Sequence, residues 1–213
     1  MELKEYLETD KERWDTFLVK SKNGTFLFYR NYIDYHSNRF QNNNLLFEKK
    51  GKLRAMIPVN LVGETAFSHQ GITYGGFILP KDISIQEVSD CFNLLNDYLC
   101  NKGVQELVYK PVPYIYHKYP SQEDLYALYR LNAAIIGRNI SSTIDQSAKL
   151  GFTESRKSGL RKSKKENLEI STNNKYKEFW NVLEENLSEE VKRSYTMFMK
   201  MCRARSNQRN ILT

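Results

Sequence analysis

Gln70-Gly71-Ile72-Thr73-Tyr74-Gly75-Gly76-Phe77 is the stretch on which the fold turns, because three glycines and a tyrosine interrupt what otherwise reads as strand. Glycine in a strand loses packing and is freer in the unfolded chain, so it marks a bulge, a bend, or the close approach of a backbone or ligand. Neither GxxxxGKS/T nor GxGxxG can be read across it, which removes a phosphate-cradling loop. The expectation is a bent strand in which Gly75 and Gly76 let a substrate or a further domain pass close to Tyr74.

Downstream, Ser84 and Glu87 form a capping box ahead of Val88, Cys91, Phe92, Leu95, Tyr98 and Leu99 at helical spacing, and Gly103 stops the helix. Gln105 to Lys110 reads as a strand ended by Pro111 and Pro113. Ser121 and Asp124 then open a helix through Leu125, Leu128 and Tyr129. Upstream, Leu45 to Glu48, a turn at Lys49 to Lys52 containing Gly51, and Leu53 to Val59 read as a β-hairpin, with Pro58 marking an edge or bulge. Before it, Thr9 and Glu12 resemble a capping box for a helix carrying Trp14, Phe17 and Leu18, broken by Gly24. A hairpin followed by strand–helix alternation implies an α/β (α+β) fold: a mixed sheet covered by helices, not a bundle or a sandwich.

Of the 213 residues, 40% are hydrophobic and 13% aromatic, enough for a packed core and too much for a disordered chain. The net charge of +7 favours an anionic partner such as a phosphate, a nucleic acid or a membrane surface, although charge also serves solubility. No leader-like segment or membrane-spanning apolar run is present, so the cytoplasm is the expected location. Cys91, Cys100 and Cys202 have no CxxC spacing, which argues against a disulfide framework and a zinc site. Cys91 falls on the apolar helix face and reads as core.

Composition changes near residue 150. Lys149, Arg156, Lys157, Arg161, Lys162, Lys164 and Lys165 face only Glu154 and Glu166, which predicts a basic helix. Asn167 to Thr172 reads as a short strand, and Tyr176, Phe179, Trp180, Leu183 and Leu187 as an apolar helical stripe. The expected organisation is a domain over 1–148, the opening of a second over 149–190, and an irregular basic tail over 191–213.

Taken in order, GTFLFYRNYIDYHSNRF (Gly24 to Phe40), AMIPVN (Ala55 to Asn60), HQGITYGGF (His69 to Phe77), PYIYHKYPSQEDLYAL (Pro113 to Leu128), RNISSTID (Arg138 to Asp145) and SRKSGLRKSKKENLEI (Ser155 to Ile170) resemble the FemABX-like branch of the GNAT acyltransferase superfamily, a bacterial subgroup of N-acetyltransferases. The resemblance implies a GNAT-like, mainly antiparallel mixed sheet flanked by helices, in the first of two tandem domains. The chain would hold only the opening of the second domain and so be C-terminally truncated, with its own activity in question. It implies acyl transfer to an amine, with acetyl-CoA or aminoacyl-tRNA as donor and a small-molecule or peptide amine as acceptor. Transfer RNA or a lipid-linked pyrophosphate precursor are implied partners. The superfamily's pyrophosphate loop, Q/R-x-x-G-x-G/A opening a helix, is missing from this chain, so no cofactor is evident in the sequence itself.

Acyl transfer to nitrogen needs a deprotonated amine, a donor for the developing oxyanion and a proton acceptor. Tyr74, left accessible by its flanking glycines, is a candidate donor or stacking surface, against the alternative of a packing tyrosine. Lys110 and Tyr114 stand where α/β sheets present ligand groups, at the end of a strand. Arg156 and Arg161, with Lys164 or Lys165, would share a helix face suited to phosphates, Arg161 foremost, and Arg39 and Arg138 complete the candidate substrate-binding set. His36 beside Asp34 could act as a general base or be a surface histidine, and His69 and His117 are equally open. No metal-ligand spacing and no GxSxG elbow can be read, so the catalytic residues stay unassigned. The rival expectation is a non-catalytic module that binds an anionic ligand or nucleic acid through the basic helix.

Overall fold

Two short apolar runs organise the molecule. Leu45-Leu46-Phe47 lies in β3 (Leu45–Lys49) and Ala55-Met56-Ile57 in β4 (Lys52–Ile57), and all six side chains are buried. Strand side chains point alternately to opposite faces, so an unbroken apolar run requires cover on both. Leu45, Phe47, Ala55 and Ile57 enter one core with Val88, Cys91, Phe92, Leu95 and Leu99. Leu46 and Met56 enter a second core with Trp14, Leu18, Phe28, Ile33 and Ile78.

The structure is a computed structural model that describes residues 1–37, 39–168 and 175–187. The chain divides into two units, Met1–Asn139 and Ile140–Thr213. In the first, β3 and β4 are joined by Lys50 and Gly51, both with positive φ, as a two-residue hairpin whose twist matches its strands requires. The strand β1 (Glu2–Glu5), which carries no strong sequence signal, pairs antiparallel with the outer side of β3. This three-stranded sheet has the order β1-β3-β4. A four-stranded sheet contains β2 (Gln41–Asn42), β5 (Asn60–Val62), β6 (Thr65–Phe67) and β7 (Glu106–Val108) in that order. Its pairs are antiparallel except β6 with β7, which run parallel. The fold is thus the expected mixed α/β arrangement, mainly antiparallel and flanked by helices.

The helix α1 (Lys11–Lys20) buries Trp14 and Leu18, but the expected Thr9 and Glu12 capping box does not form. Thr9 instead lies in a short 3-10 turn, and Asp10 accepts from the amide of Leu7 at 3.1 Å. Arg30 opens α2 (Arg30–Ile33) from a buried position, its guanidinium 3.9 Å from the Tyr6 ring centroid and paired with Asp34. A desolvated cation over an aromatic face is worth roughly 2 kcal/mol, which helps hold α2 against Tyr6 and α1.

The crossover from β6 to its parallel neighbour β7 runs through α3 (Ile85–Asn101), whose capping box forms as the sequence predicts. The Ser84 hydroxyl accepts from the Glu87 amide at 3.2 Å, and the Glu87 carboxylate accepts from the Ser84 amide at 3.1 Å. Gly103, at φ 76, stops the helix. Then α4 (Glu123–Arg130) packs against α3, but through Asp124, Ala127 and Leu128. The expected stripe is overturned at Leu125 and Tyr129, which are exposed. Asp124 takes the inward position because the Tyr109 hydroxyl supplies it a buried hydrogen-bond donor at 2.9 Å.

In the second unit, α5 (Glu154–Lys165) is the expected basic helix and α6 (Tyr176–Asn186) carries the expected aromatic stripe. Neither helix has a fully buried residue, and Tyr176 and Phe179 are exposed. The strand expected at Asn167 to Thr172 falls largely outside the described residues, as does Cys202. Among the described residues no helix is long and apolar enough to cross a membrane, and no group of three or more metal-ligating side chains occurs.

Glu87 is held at a pKa of about 2, first by hydrogen bonds from Arg54, which outweigh its burial, then by the Ser84 amide and Lys49. A carboxyl with a depressed native pKa contributes stability that is complete above its unfolded value and lost as pH falls towards the native one. The displacement from 4.5 to about 2 corresponds to about 3 kcal/mol. Chemical denaturation between pH 7 and pH 2 should therefore show a loss of stability below about pH 4.5 that is much reduced in Glu87→Gln.

Candidate functional site

The carboxyl ends of parallel neighbours are where an α/β sheet leaves a crevice open to ligands. Here those ends are Phe67 of β6 and Val108 of β7, and the segments leaving them, Ser68 to Phe77 and Tyr109 to Tyr116, are bonded to one another. The Ser68 amide donates to the Val108 carbonyl at 3.0 Å, and the Lys110 amide donates to the Ser68 hydroxyl at 2.7 Å. The Gly75 amide donates to the Lys110 carbonyl at 2.8 Å. The Lys110 ammonium reaches into the same loop and donates to the Ile72 carbonyl at 2.8 Å. Lys110 is thus tied at its amide, its carbonyl and its side chain.

The glycine stretch is a loop, not the expected bent strand. Its amides and carbonyls bond mostly to the segment after β7 and to side chains, leaving an isolated bridge between Ile78 and Met56 as its ladder contact. Within the first unit, it is the chain itself that approaches the glycines. A Cβ on Gly75 would stand 1.3 Å from the Ser68 carbonyl oxygen. At Gly76, φ is 79 and a Cβ would stand 2.6 Å from the Tyr109 hydroxyl. That hydroxyl accepts from the Phe77 amide at 2.8 Å and donates to Asp124 at 2.9 Å. Burial raises both the Tyr109 phenol, well above its ordinary value, and the Asp124 carboxyl.

Polar side chains complete the loop's support. Asn60, fully buried, exchanges two hydrogen bonds with Gln70, at 2.8 and 2.9 Å. Asn23 bridges the Phe77 carbonyl at 2.8 Å and the Leu79 amide at 2.9 Å, doing for this segment what a neighbouring strand would do. His69 is buried at φ 145, a region side chains seldom adopt and one that costs on the order of 1–3 kcal/mol. Its Nδ1 accepts from the Gly71 amide at 3.0 Å, so the ring proton sits on Nε2, which donates to Asn42 Oδ1 at 3.0 Å. The imidazole is accordingly a neutral, oriented group.

Tyr74 is buried but not sealed. Its hydroxyl donates to Thr25 Oγ1 at 3.0 Å, and its ring stacks on the half-exposed Tyr116 at 5.3 Å. Burial raises its pKa, opposed by the Thr25 bond and assisted by Tyr116 and Tyr32. Burial alone lowers the pKa of Lys110. Tyr74 and Lys110 thus belong to two segments bonded to one another at one end of the sheet, and Tyr114 is strongly exposed in the turn that carries Tyr116. Arg39 is exposed, its guanidinium 5.8 Å from the Phe40 ring, which in turn meets the edge of His69 at 5.5 Å.

The remaining candidates belong to other segments of the chain. Arg138 is exposed in a stretch without regular structure, and Arg156 and Arg161 are exposed on α5 of the second unit. At 100° per residue, Arg156 lies about 140° around the helix from Arg161, so those two do not form one phosphate face. Arg161 sits instead with Lys157 near Glu154, at 3.9 and 2.8 Å respectively. Asp34 is bound to Arg30, and the His36 side chain lies outside the described residues. His117 Nε2 donates to the Val112 carbonyl at 3.0 Å. No sequence pattern marked Asn23, Asn60, Ser68, Tyr109 or Asp124 for a site role, although Asn60 closes AMIPVN, Asp124 lies within the Pro113 to Leu128 segment as an expected helix-opening residue, and Asn23, Ser68 and Tyr109 each adjoin a residue that was singled out.

No protein-family model and no curated protein matches the chain. Among solved structures, the ribosomal-protein-S18-alanine N-acetyltransferase from Escherichia coli is similar at 17% identity and a TM-score of 0.37, over 50% of this chain and 63% of that one. The wild-type protein TTHA1254 from Thermus thermophilus is similar at 14% identity and a TM-score of 0.41, over 70% of this chain and 100% of that one. The aminoglycoside antibiotic 6'-N-acetyltransferase AAC(6')-IG from Acinetobacter haemolyticus is similar at 12% identity and a TM-score of 0.42, over 68% of this chain and 100% of that one. At these scores the likenesses assign no activity and no family.

Gly75→Ala places a methyl group on a backbone carbonyl that cannot swing aside, so the loop must detach from β6 or β7. The expected loss in urea denaturation is about 3 kcal/mol or more. Gly137→Ala, with open space around its Cβ, should stay within about 0.5 kcal/mol of the unchanged protein.

Proposed function

We propose that the chain is an acyltransferase module of the GNAT superfamily's FemABX-like branch, acting on an amine acceptor. The observation that carries the reading is the juncture at the ends of β6 and β7, where Lys110, Tyr74 and a neutral His69 are held by one loop. The order of sequence segments that resemble this branch supports it independently. In the reaction the acceptor nitrogen attacks the acyl carbonyl carbon. The new C–N bond forms as the acyl bond to the donor's sulfur or ribose oxygen breaks, and the proton lost from nitrogen ends on that leaving sulfur or oxygen. Lys110, whose ammonium keeps protons beyond the one given to the Ile72 carbonyl, would donate to the developing oxyanion, the largest electrostatic demand of such a step, and the Tyr74 hydroxyl would do so only on giving up its bond to Thr25.

The donor in this reading is acetyl-CoA or an aminoacyl-tRNA, and the acceptor a small-molecule or peptide amine, with a lipid-linked pyrophosphate precursor as the FemABX-like form of it. The donor's phosphates would not sit at the N-terminus of α3. Its first turn is occupied by the carboxylate of Glu87, held by Arg54 and Lys49, so a phosphate there would meet a buried negative charge. Phosphate contacts would have to come from other residues. The second reading, a module that binds an anionic ligand or nucleic acid, is favoured by α5, where Arg156, Lys157, Arg161, Lys162, Lys164 and Lys165 are exposed on a 12-residue helix with Glu154 as its sole acid.

The test offers radiolabelled acetyl-CoA and, separately, aminoacyl-tRNA to the full chain with a panel of amino sugars and short peptides. Label should move to an amine, and Lys110→Met should slow transfer about ten-fold or more. A chain that transfers neither acyl group and gains no thermal stability from either donor sinks the acyltransferase reading. Salt-sensitive anion binding that Arg161→Glu with Lys164→Glu abolishes would then establish the second.

A further inference from the structure

One side of the first unit carries a row of aromatic rings that the core does not use. Phe26, 65% exposed, meets Tyr32 edge-on at 5.8 Å. Tyr32 and Tyr116 both lie close enough to Tyr74 to influence its phenol, and Tyr116 stacks on Tyr74 with an interplanar angle of 29°. Tyr114, 80% exposed, stands two residues before Tyr116 in the same turn. Single exposed aromatics are ordinary, but contiguous ones mark an interaction surface. Tyr74 is the pivot: buried itself, it fixes Tyr116 from beneath and is fixed by Thr25 and Phe28.

Within the segments that carry the row the unpaired charge is of one sign. The segments that build it, 24–33, 68–77 and 109–120, contain no aspartate or glutamate. They contribute Lys110 and Lys118, whose ammonium groups donate to the backbone carbonyls of Ile72 at 2.8 Å and Val19 at 2.9 Å. A carbonyl orients a lysine without cancelling its charge, as a carboxylate would. Arg30, the other cation of these segments apart from the histidines, is buried and already paired with Asp34. The surface thus combines flat π faces with fixed, unneutralised cations. That combination holds a strand whose unpaired bases stack and whose backbone is anionic. A duplex hides the base faces, and a neutral glycan gains nothing from the lysines.

We propose that this row binds single-stranded nucleic acid, with bases stacked on Phe26, Tyr114 and Tyr116 and phosphates drawn to Lys110 and Lys118. The proposal does not rest on the acyl-transfer reading, because binding needs no donor or acceptor and either can fail alone. It also differs from the basic-helix reading, since its residues lie in the first unit.

The experiment is fluorescence anisotropy of the full chain with a labelled oligothymidylate of about 12 nucleotides, within the range of known single-strand sites. Binding should weaken as salt rises, and the same sequence as a duplex should compete poorly. Tyr114→Ala with Tyr116→Ala should weaken binding about ten-fold or more. Tyr116→Phe keeps the ring and should bind as the unchanged chain does. Circular dichroism and thermal melting confirm that the variants are folded, and Lys118→Glu supplies a variant remote from the aromatic packing that should also weaken binding. The proposal is overturned if the unchanged chain does not bind at low salt, or if duplex competes equally. It is also overturned if binding survives the double tyrosine variant yet disappears in Lys157→Glu with Arg161→Glu.

Discussion

The contact between Gly75 and the Ser68 carbonyl decides where everything near the sheet's end can stand. With no side chain on Gly75, the loop after β6 turns back onto its own first residue and lets its amide reach Lys110. That closure brings Tyr74 to Tyr116, Lys110 to Ile72, and Gly76 against the Tyr109 ring. Any Cβ at position 75 would drive the loop off its own first residue, on which all three depend.

The arrangement is demanding in polar groups and the molecule answers with buried amides. A loop in this position carries backbone donors and acceptors that water cannot reach, and each must find a partner. Asn23, Asn60, Ser68 and the Tyr109 hydroxyl supply those partners, and the Tyr109 hydroxyl donates its proton to a hydrogen bond with Asp124 of α4. Because that chain of bonds runs from the loop through β7's end into a helix, the loop's position is coupled to the packing of α4 on α3. Lys22, buried and paired with Glu123 at 2.6 Å, pins the same helix at its first residue. The result is a seat of buried hydrogen bonds and one ion pair beneath Tyr74 and Tyr116.

Much of the architecture was legible because it depends on local rules. The Lys50-Gly51 turn, the Ser84 and Glu87 capping box, the Gly103 stop and the apolar stripe of α3 each declare themselves within a few residues. The strands β1, β2, β5 and β6 and the inward face of α4 were not legible in this way, and for β1 and α4 the reasons are definite. β1 is polar on most of its surface and is a strand only because β3 offers it an edge, and α4 buries Asp124 where pattern alone selects Leu125. A buried carboxyl is invisible to hydrophobic periodicity because its partner, Tyr109, comes from another element.

By itself the sequence determined the helix and hairpin signals, the surplus of positive charge, the basic helix and the family resemblance of its segments, all properties of neighbours along the chain. It also singled out the glycine stretch, together with Tyr74, Lys110 and Tyr114. Only the tertiary structure decided what the glycines are for and which candidates meet. The parallel pairing of β6 with β7 across the α3 crossover and the stacking of Tyr116 on Tyr74 join residues far apart in sequence, and the approach of Ser68 to Gly75 belongs to a loop held by those partners. Distances between such residues are set by how the elements pack, and no local pattern encodes them.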